Sequence, residues 1–210
     1  MTQMNNDYFN IRAKTWDDNP MRQQLALSIF GYIQQNIPLN KNMVVLDYGC
    51  GTGLLSFLLS EKVKSVHAVD TSFGMLEQVK SKIEKAKIST ISTELFDAEN
   101  DNAPDVRYDL IVSAMTLHHL KNAPKTITKL ISLIKPGSWI ALADLCKEDG
   151  SFHTDIKVNY FGFEPSELES LFKSSGIEHI TTKPVFEIPK NQKIYPVFCI
   201  AGQKPVISIS

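Results

Sequence analysis

The chain has 210 residues, 43% hydrophobic and 21% charged, with a formal net charge of −1. That composition suits one soluble globular domain with a sizeable core, spanning residues 1–210 without a linker, repeat or low-complexity tract. It argues against nucleic-acid and membrane-surface binding, because there is no basic balance or polybasic run, and no apolar run nears the ~18 residues of a membrane span.

Cys50, Cys146 and Cys199 are odd in number and far apart, as expected of free thiols in a reducing cytoplasm. The N-terminus shows no charged start before an apolar core, so no signal peptide is expected. Residues 1–20 are polar and aromatic by turns. Tyr8, Phe9, Ile11 and Trp16 mark one or two amphipathic turns, which Asn19-Pro20 ends. Leu25, Ala26, Ile29, Phe30 and Ile33 then recur at helical spacing, so residues 1–36 read as a helical cap. After a loop, Val44-Val45-Leu46-Asp47 is a short apolar run ending in an acid. Gly49, Gly51 and Gly53 follow at alternate positions, ahead of the apolar stripe Leu54, Leu55, Phe57, Leu58 and Leu59. The pattern predicts strand, tight loop and helix, with glycines where the backbone must turn sharply and approach a ligand. No lysine follows Gly53, as a phosphate loop requires, and Leu54 stands where the dinucleotide fingerprint needs its third glycine.

Ser65 to Asp70 is a second strand ending in an acid. Asp70 lies about 20 residues past Gly49, the spacing that nucleotide folds use for ribose recognition. Its alternative role is a helix cap, which Ser72 also fills. Thr71-Ser72 opens a helix to about Lys85, with Met75, Leu76, Val79 and Ile83 on one face. Ile88 to Phe96 predicts a third strand, followed by Asp97-Ala98-Glu99. Tyr108 to Ala114 is a fourth, apolar enough for a sheet covered on both faces. Asn122 to Ile134 predicts a helix, Lys135 to Ser138 a break, and Trp139 to Leu145 a fifth strand containing Asp144. Cys146 to Phe163 is a long polar connection with aromatics, the kind of segment that forms lids or binding loops. A helix from Glu164 to Gly176 and strands over His179–Ile188 and Val197–Gly202 complete the chain, with Pro196 expected to keep the last strand from starting earlier. Alternating strands and helices predict an α/β, doubly wound, mostly parallel sheet with helices on both faces and an antiparallel C-terminal strand. Residues 43–145 form its core, and 146–210 supply a substrate-side loop and complete the sheet. Ligands bind such sheets beyond the carboxyl ends of strands, where Gly49–Gly53, Asp70, Asp97, Ser113–His119 and Asp144 all fall.

The stretch Leu46-Asp47-Tyr48-Gly49-Cys50-Gly51-Thr52-Gly53 resembles the first motif of the class I S-adenosylmethionine-dependent methyltransferases. Leu133-Ile134-Lys135-Pro136-Gly137-Ser138-Trp139-Ile140-Ala141 is similar to their late motif, and Asp109 at the start of the fourth strand also recurs among them. The resemblance covers about residues 43–145 and implies a Rossmann-like seven-stranded sheet with S-adenosylmethionine as cofactor. It implies that Asp47 receives the methionine ammonium, through water or by bracing the loop. Gly49, Cys50, Gly51 and Gly53 supply close backbone. Asp70, with Thr71 beside it, takes the ribose hydroxyls. Met75 packs against adenine or in the core. Asp97 receives the adenine amino group beside the Ala98 amide, and Ser113 lies on the same edge. Tyr8 and Trp16 close over the cofactor, or pack on the following helix. A cofactor with a sulfonium, an ammonium and no phosphate suits carboxylates and aromatic faces rather than lysine.

Methyl transfer is a displacement in which the leaving thioether needs no protonation, so alignment supplies most of the rate and a base matters only if the acceptor must lose a proton. His118 and His119 are the best-placed bases, with plain packing as their alternative. Asp144 orients or deprotonates the acceptor, or binds a loop amide. His153 and Tyr160 are more remote candidates. No His, Cys, Asp or Glu cluster shows metal-ligand spacing, so no metal is expected. Met115-Thr116-Leu117-His118-His119-Leu120 resembles the post-strand segment of small-molecule methyltransferases, and the Asn/Asp-Pro-Pro-Tyr/Phe motif of nucleic-acid amino-methyltransferases is absent. The expected protein is a cytoplasmic monomer or homodimer acting on a small-molecule acceptor, not on DNA or at a membrane. The alternatives are a nucleotide-dependent oxidoreductase, a non-catalytic S-adenosylmethionine-binding regulator or partner subunit, and a protein or tRNA methyltransferase.

Overall fold

In the computed structural model, which describes residues 3–102 and 104–206, two helices precede the first strand. They are α1 (Gln3–Arg12) and α2 (Pro20–Asn36), joined by a 3-10 turn over Ala13–Asp18. Asn19 caps α2 by accepting the Met21 amide, and Pro20 takes the first helical position, where its missing N–H costs nothing. There follow β1 (Val44–Tyr48), α3 (Leu54–Ser60), β2 (Ser65–Asp70), α4 (Phe73–Ala86), β3 (Ile91–Leu95) and β4 (Tyr108–Ala114). After a 3-10 turn at Leu117–His119 come α5 (Ala123–Ser132), β5 (Ile134–Leu145), α6 (Pro165–Ser174), β6 (Glu178–Lys190) and β7 (Lys193–Gln203). Ser72 caps α4 at the Met75 amide, and Asn122 caps α5 at the Lys125 amide.

The seven strands form one sheet in the order β3-β2-β1-β4-β5-β7-β6. All neighbours from β3 to β5 are parallel, and β7 runs antiparallel to both β5 and β6. The chain winds outward from β1 to β3, then returns to lay β4 on the other side of β1. That reversal opens a crevice beyond the carboxyl ends of β1 and β4. Helices α2, α3 and α4 cover one face through Leu25, Ile29, Ile33, Leu55, Leu59 and Val79. The other face is closed by α5 and α6 through Ile127, Leu130, Leu168 and Phe172. Asp109 ties the opposite edge, accepting the Val44 amide and the Lys135 ammonium at 2.8 Å each. Among the described residues, no helix is long and apolar enough to cross a membrane.

Several boundaries differ from the sequence expectations. Strand β3 starts at Ile91 rather than Ile88. Strand β5 starts at Ile134, not Trp139, because Ile134 already pairs with Tyr108 and the Pro136-Gly137 irregularity is absorbed as a register shift. Strand β7 starts at Lys193, not Val197. Pro196 is tolerated because the ladder to β5 ends at Leu145↔Val197, so its missing N–H faces no β5 partner, while its carbonyl accepts the Cys146 amide.

Candidate active site

The glycine loop hangs from the end of β2. The amides of Gly49 and Cys50 both donate to the Val69 carbonyl, at 2.8 and 3.0 Å. Asp70 Oδ2 accepts the Gly51 amide and its Oδ1 the Ser72 amide, each at 2.8 Å, so one carboxylate braces the loop and the start of α4 together. Gly49 has φ +71, and a Cβ there would lie 2.3 Å from Thr116 Oγ1. At Gly51, φ is +55 and a Cβ would meet nothing within 4 Å, so this backbone faces open space. Asp47 is buried beneath the loop and accepts the Ser56 hydroxyl at 2.5 Å. Burial pushes its carboxyl up to about 7, against the Ser56 hydrogen bond and with the Asp70 charge adding to the rise. Burial likewise raises Asp70, and it raises the Cys50 thiol well above its ordinary value.

The N-terminal segment is fastened onto this loop. Asn10 Oδ1 accepts the Ser72 hydroxyl at 2.7 Å and the Gly74 amide at 2.8 Å. Asp17 accepts the Thr52 hydroxyl at 2.6 Å and pairs with Lys82, which itself donates to the Thr52 carbonyl at 2.7 Å. Further along, the Tyr8 hydroxyl donates to Asp155 at 2.6 Å and Arg12 pairs with Asp155 at 3.2 Å, joining the segment to the connection between β5 and α6.

That connection carries His153 to the end of β4. Met115 turns the chain with φ +56, and the 3-10 turn behind it presents His118 and His119. His118 is 1% exposed and Asp144 0%. Asp144 Oδ1 accepts His118 Nδ1–H at 2.6 Å, and its Oδ2 accepts the His118 amide at 3.3 Å. This pairing favours the tautomer with its proton on Nδ1, which directs Nε2 toward the cavity. His153 Nε2 lies 3.0 Å from it. Phe9 meets the His119 ring edge-on at 5.2 Å. Burial holds His119 well below the ordinary histidine value, with His118 and His153 adding to the effect. Burial, with His118 and Lys190 adding to it and Asp155 and Asp144 opposing it, brings His153 down to about 4.

One cavity of about 500 Å³ joins these parts, reaching from Asp47, the glycine loop, Asp70 and Met75 to His118, His119 and His153. A family profile described as a methyltransferase domain matches residues 21–184. The chain belongs to the class I S-adenosylmethionine-dependent methyltransferases. It is 32% identical to a malonyl-[acyl-carrier protein] O-methyltransferase of Priestia megaterium over 61% of this chain and 46% of that one. It is 35% identical to a ubiquinone biosynthesis O-methyltransferase of Coxiella burnetii over 70% of this chain and 68% of that one. The chain spans about half the length of the first curated relatives it matches. Among solved structures, phosphoethanolamine N-methyltransferase 2 of Haemonchus contortus in complex with S-adenosyl-L-methionine shares the fold, with TM-score 0.69 and 15% identity over 84% of this chain and 52% of that one.

Within this methyltransferase, Asp47, Gly49, Cys50, Gly51, Asp70, Met75, Tyr8, Trp16, His118 and His119 line the cavity. Gly53 sits behind the loop as the left-handed cap of α3. Thr71 is off the cavity wall, as are Asp97 and Ala98. Asp97 instead accepts the Glu99 amide and the Asn100 side chain within its own turn. Ser113 is buried and donates to the Tyr48 carbonyl, bracing β4 against β1. Asp144 reaches the cavity only through His118. The spacing of the chain predicted no metal-ligand cluster, yet the fold gathers His118, His119 and His153. No local pattern in the sequence marks Asn10, Asp17 or Asp155: each gains its partner only when the N-terminal segment docks.

Proposed function

We propose that this protein transfers the methyl group of S-adenosylmethionine to the oxygen of a small-molecule acceptor. The observation that carries the reading is the single cavity with carboxylates and exposed glycine backbone at one end and imidazoles at the other. The residues suit the donor. Gly51 leaves open space where any side chain would stand, and Asp47 and Asp70 place carboxyl oxygens on the same wall as acceptors for the donor's ammonium and hydroxyls. When bound, the donor supplies an electrophilic methyl whose leaving group needs no proton. Asp70 would hold the ribose hydroxyls with the acceptor capacity its backbone amide partners leave over, and Asp47 would stiffen the loop from below. Tyr8, Phe9 and Trp16 would exclude water from the donor side, raising the weight of alignment. At the acceptor end, His118 offers a lone pair whose direction Asp144 sets, able to receive a proton or a metal ion. The two relatives named above are O-methyltransferases by name, which favours oxygen as the acceptor atom.

The test is calorimetric titration with S-adenosylmethionine, with NADH as control. Wild type is expected to bind the methyl donor and not NADH, and Asp70→Ala to weaken donor binding by about tenfold or more, some 1.4 kcal/mol. Binding of NADH in place of the donor would overturn the reading. Given donor binding, turnover with small phenols, alcohols or carboxylates supports the acceptor class, and turnover only with a protein or tRNA would refute it.

A further inference from the structure

Three imidazoles meet at the acceptor end of the cavity. One ring nitrogen from each of His118, His119 and His153 lies within 4.8 Å of those of the other two. Asp144 holds His118 by Nδ1, the carboxylate–histidine pairing that orients a metal ligand and raises its basicity. His119 is 4% exposed, and its buried Nδ1 has no hydrogen-bond partner among the described residues. Leaving such a group unpaired costs about 1–3 kcal/mol.

We propose that His118, His119 and His153 bind a divalent transition-metal ion of the Zn²⁺ or Co²⁺ kind, with an open coordination position facing the cavity. The all-nitrogen donor set suits these ions and not Mg²⁺ or Ca²⁺, which require oxygen. Zn–N bonds of about 2.0–2.1 Å place ligand nitrogens on a tetrahedral ion about 3.3 Å apart, so the rings draw together on binding. His153 is the partner free to do so, because its segment between β5 and α6 holds no helix or strand. Three protein ligands and an open fourth position are the pattern of catalytic rather than structural sites. An acceptor hydroxyl in that position is held deprotonated, its proton passing to solvent, beside the glycine loop. This role rests on the methyltransferase reading, whereas the binding of the ion does not. A hydrogen bond from His153 Nε2–H to His118 Nε2 also accounts for two of the rings, but it leaves His119 Nδ1 unpaired.

The experiment titrates the untagged, chelator-treated full chain with Co²⁺, followed by visible absorption, and with Zn²⁺ and Mg²⁺ by calorimetry, all without methyl donor. One equivalent of Co²⁺ should give a d–d band that Zn²⁺ abolishes, with no response to Mg²⁺. His153→Ala and His119→Asn should weaken uptake by about a hundredfold or more, and Asp144→Asn by about 10–100-fold. His67→Asn, altering a histidine paired with Glu94 elsewhere, should leave it unchanged. Thermal unfolding verifies that each variant is folded. Absence of stoichiometric uptake, or uptake that survives both the His119 and His153 substitutions, overturns the proposal. Donor titration of the same protein is read separately: metal uptake without donor binding would sink the methyltransferase role and keep the site.

Discussion

Gly49 and Gly51 share a left-handed backbone, but their surroundings give them different jobs. Alanine at Gly49 adds a clash with Thr116 to the backbone cost, so Gly49→Ala should lose at least about 2 kcal/mol of stability. Alanine at Gly51 carries only the backbone cost of about 1 kcal/mol, but its methyl enters the open space, so donor affinity should fall about tenfold. Urea unfolding and calorimetry on the pair would separate the two effects, and equal stability losses would contradict the assignment. Asp47 makes a pH prediction. Its folded carboxyl titrates at about 7, against an ordinary value of 3.8, so between these values the folded state holds a proton that the unfolded chain has released. Stability therefore falls as pH rises through that window. Asp47→Asn should flatten this slope in unfolding curves taken from about pH 4 to pH 8, and an unchanged slope would place the effect elsewhere. The alternating glycines and strand-end acids were plain in the sequence because each is a local pattern. Which glycine meets Thr116 was not, since that contact spans two strands.

At the scale of elements, the N-terminal segment is a strap with two fastenings, Asn10 and Asp17 on the glycine loop and α4, and Tyr8 and Arg12 on Asp155. Asp155→Ala removes the shared partner of Tyr8 and Arg12 at the second fastening while leaving the core untouched. Stopped-flow release of the donor should become about 3–10-fold faster, the loss of a hydrogen bond and a partly exposed ion pair, with little change in melting temperature. An unchanged release rate would show that the strap is held from the glycine loop alone. The helical character of the segment could be read from Tyr8, Phe9 and Trp16, but its docking could not, because polar Asn10 and Asp17 have no periodicity to betray a partner. The starts of β5 and β7 differ from the sequence expectation for a related reason. Proline rules describe a lone strand, whereas the cost of proline depends on whether a neighbouring ladder wants its N–H.

For the molecule as a whole, the sheet carries a core on each face and puts the site at one edge. Phe172 is fully buried in the face opposite α2 and α3, away from the cavity. Phe172→Ala should cost about 3–5 kcal/mol of global stability. While the protein remains folded, donor affinity should stay within about twofold of wild type. A large affinity loss would show that the α6 face and the cavity are coupled.

Residue order alone carried the alternation of strands and helices, the glycine loop with Asp47 before it, and Asp70 at the end of β2. These depend on side-chain period and backbone freedom over a few neighbouring residues. It also carried His118-His119 as a pair. It did not carry the meeting of His118 with His153, 35 residues apart, or of Tyr8 with Asp155, 147 apart. Those contacts depend on the path of a connection that has neither helix nor strand and on how an N-terminal segment packs against it. They arise when burial of the two cores closes the sheet, and no short-range pattern encodes where such segments come to rest.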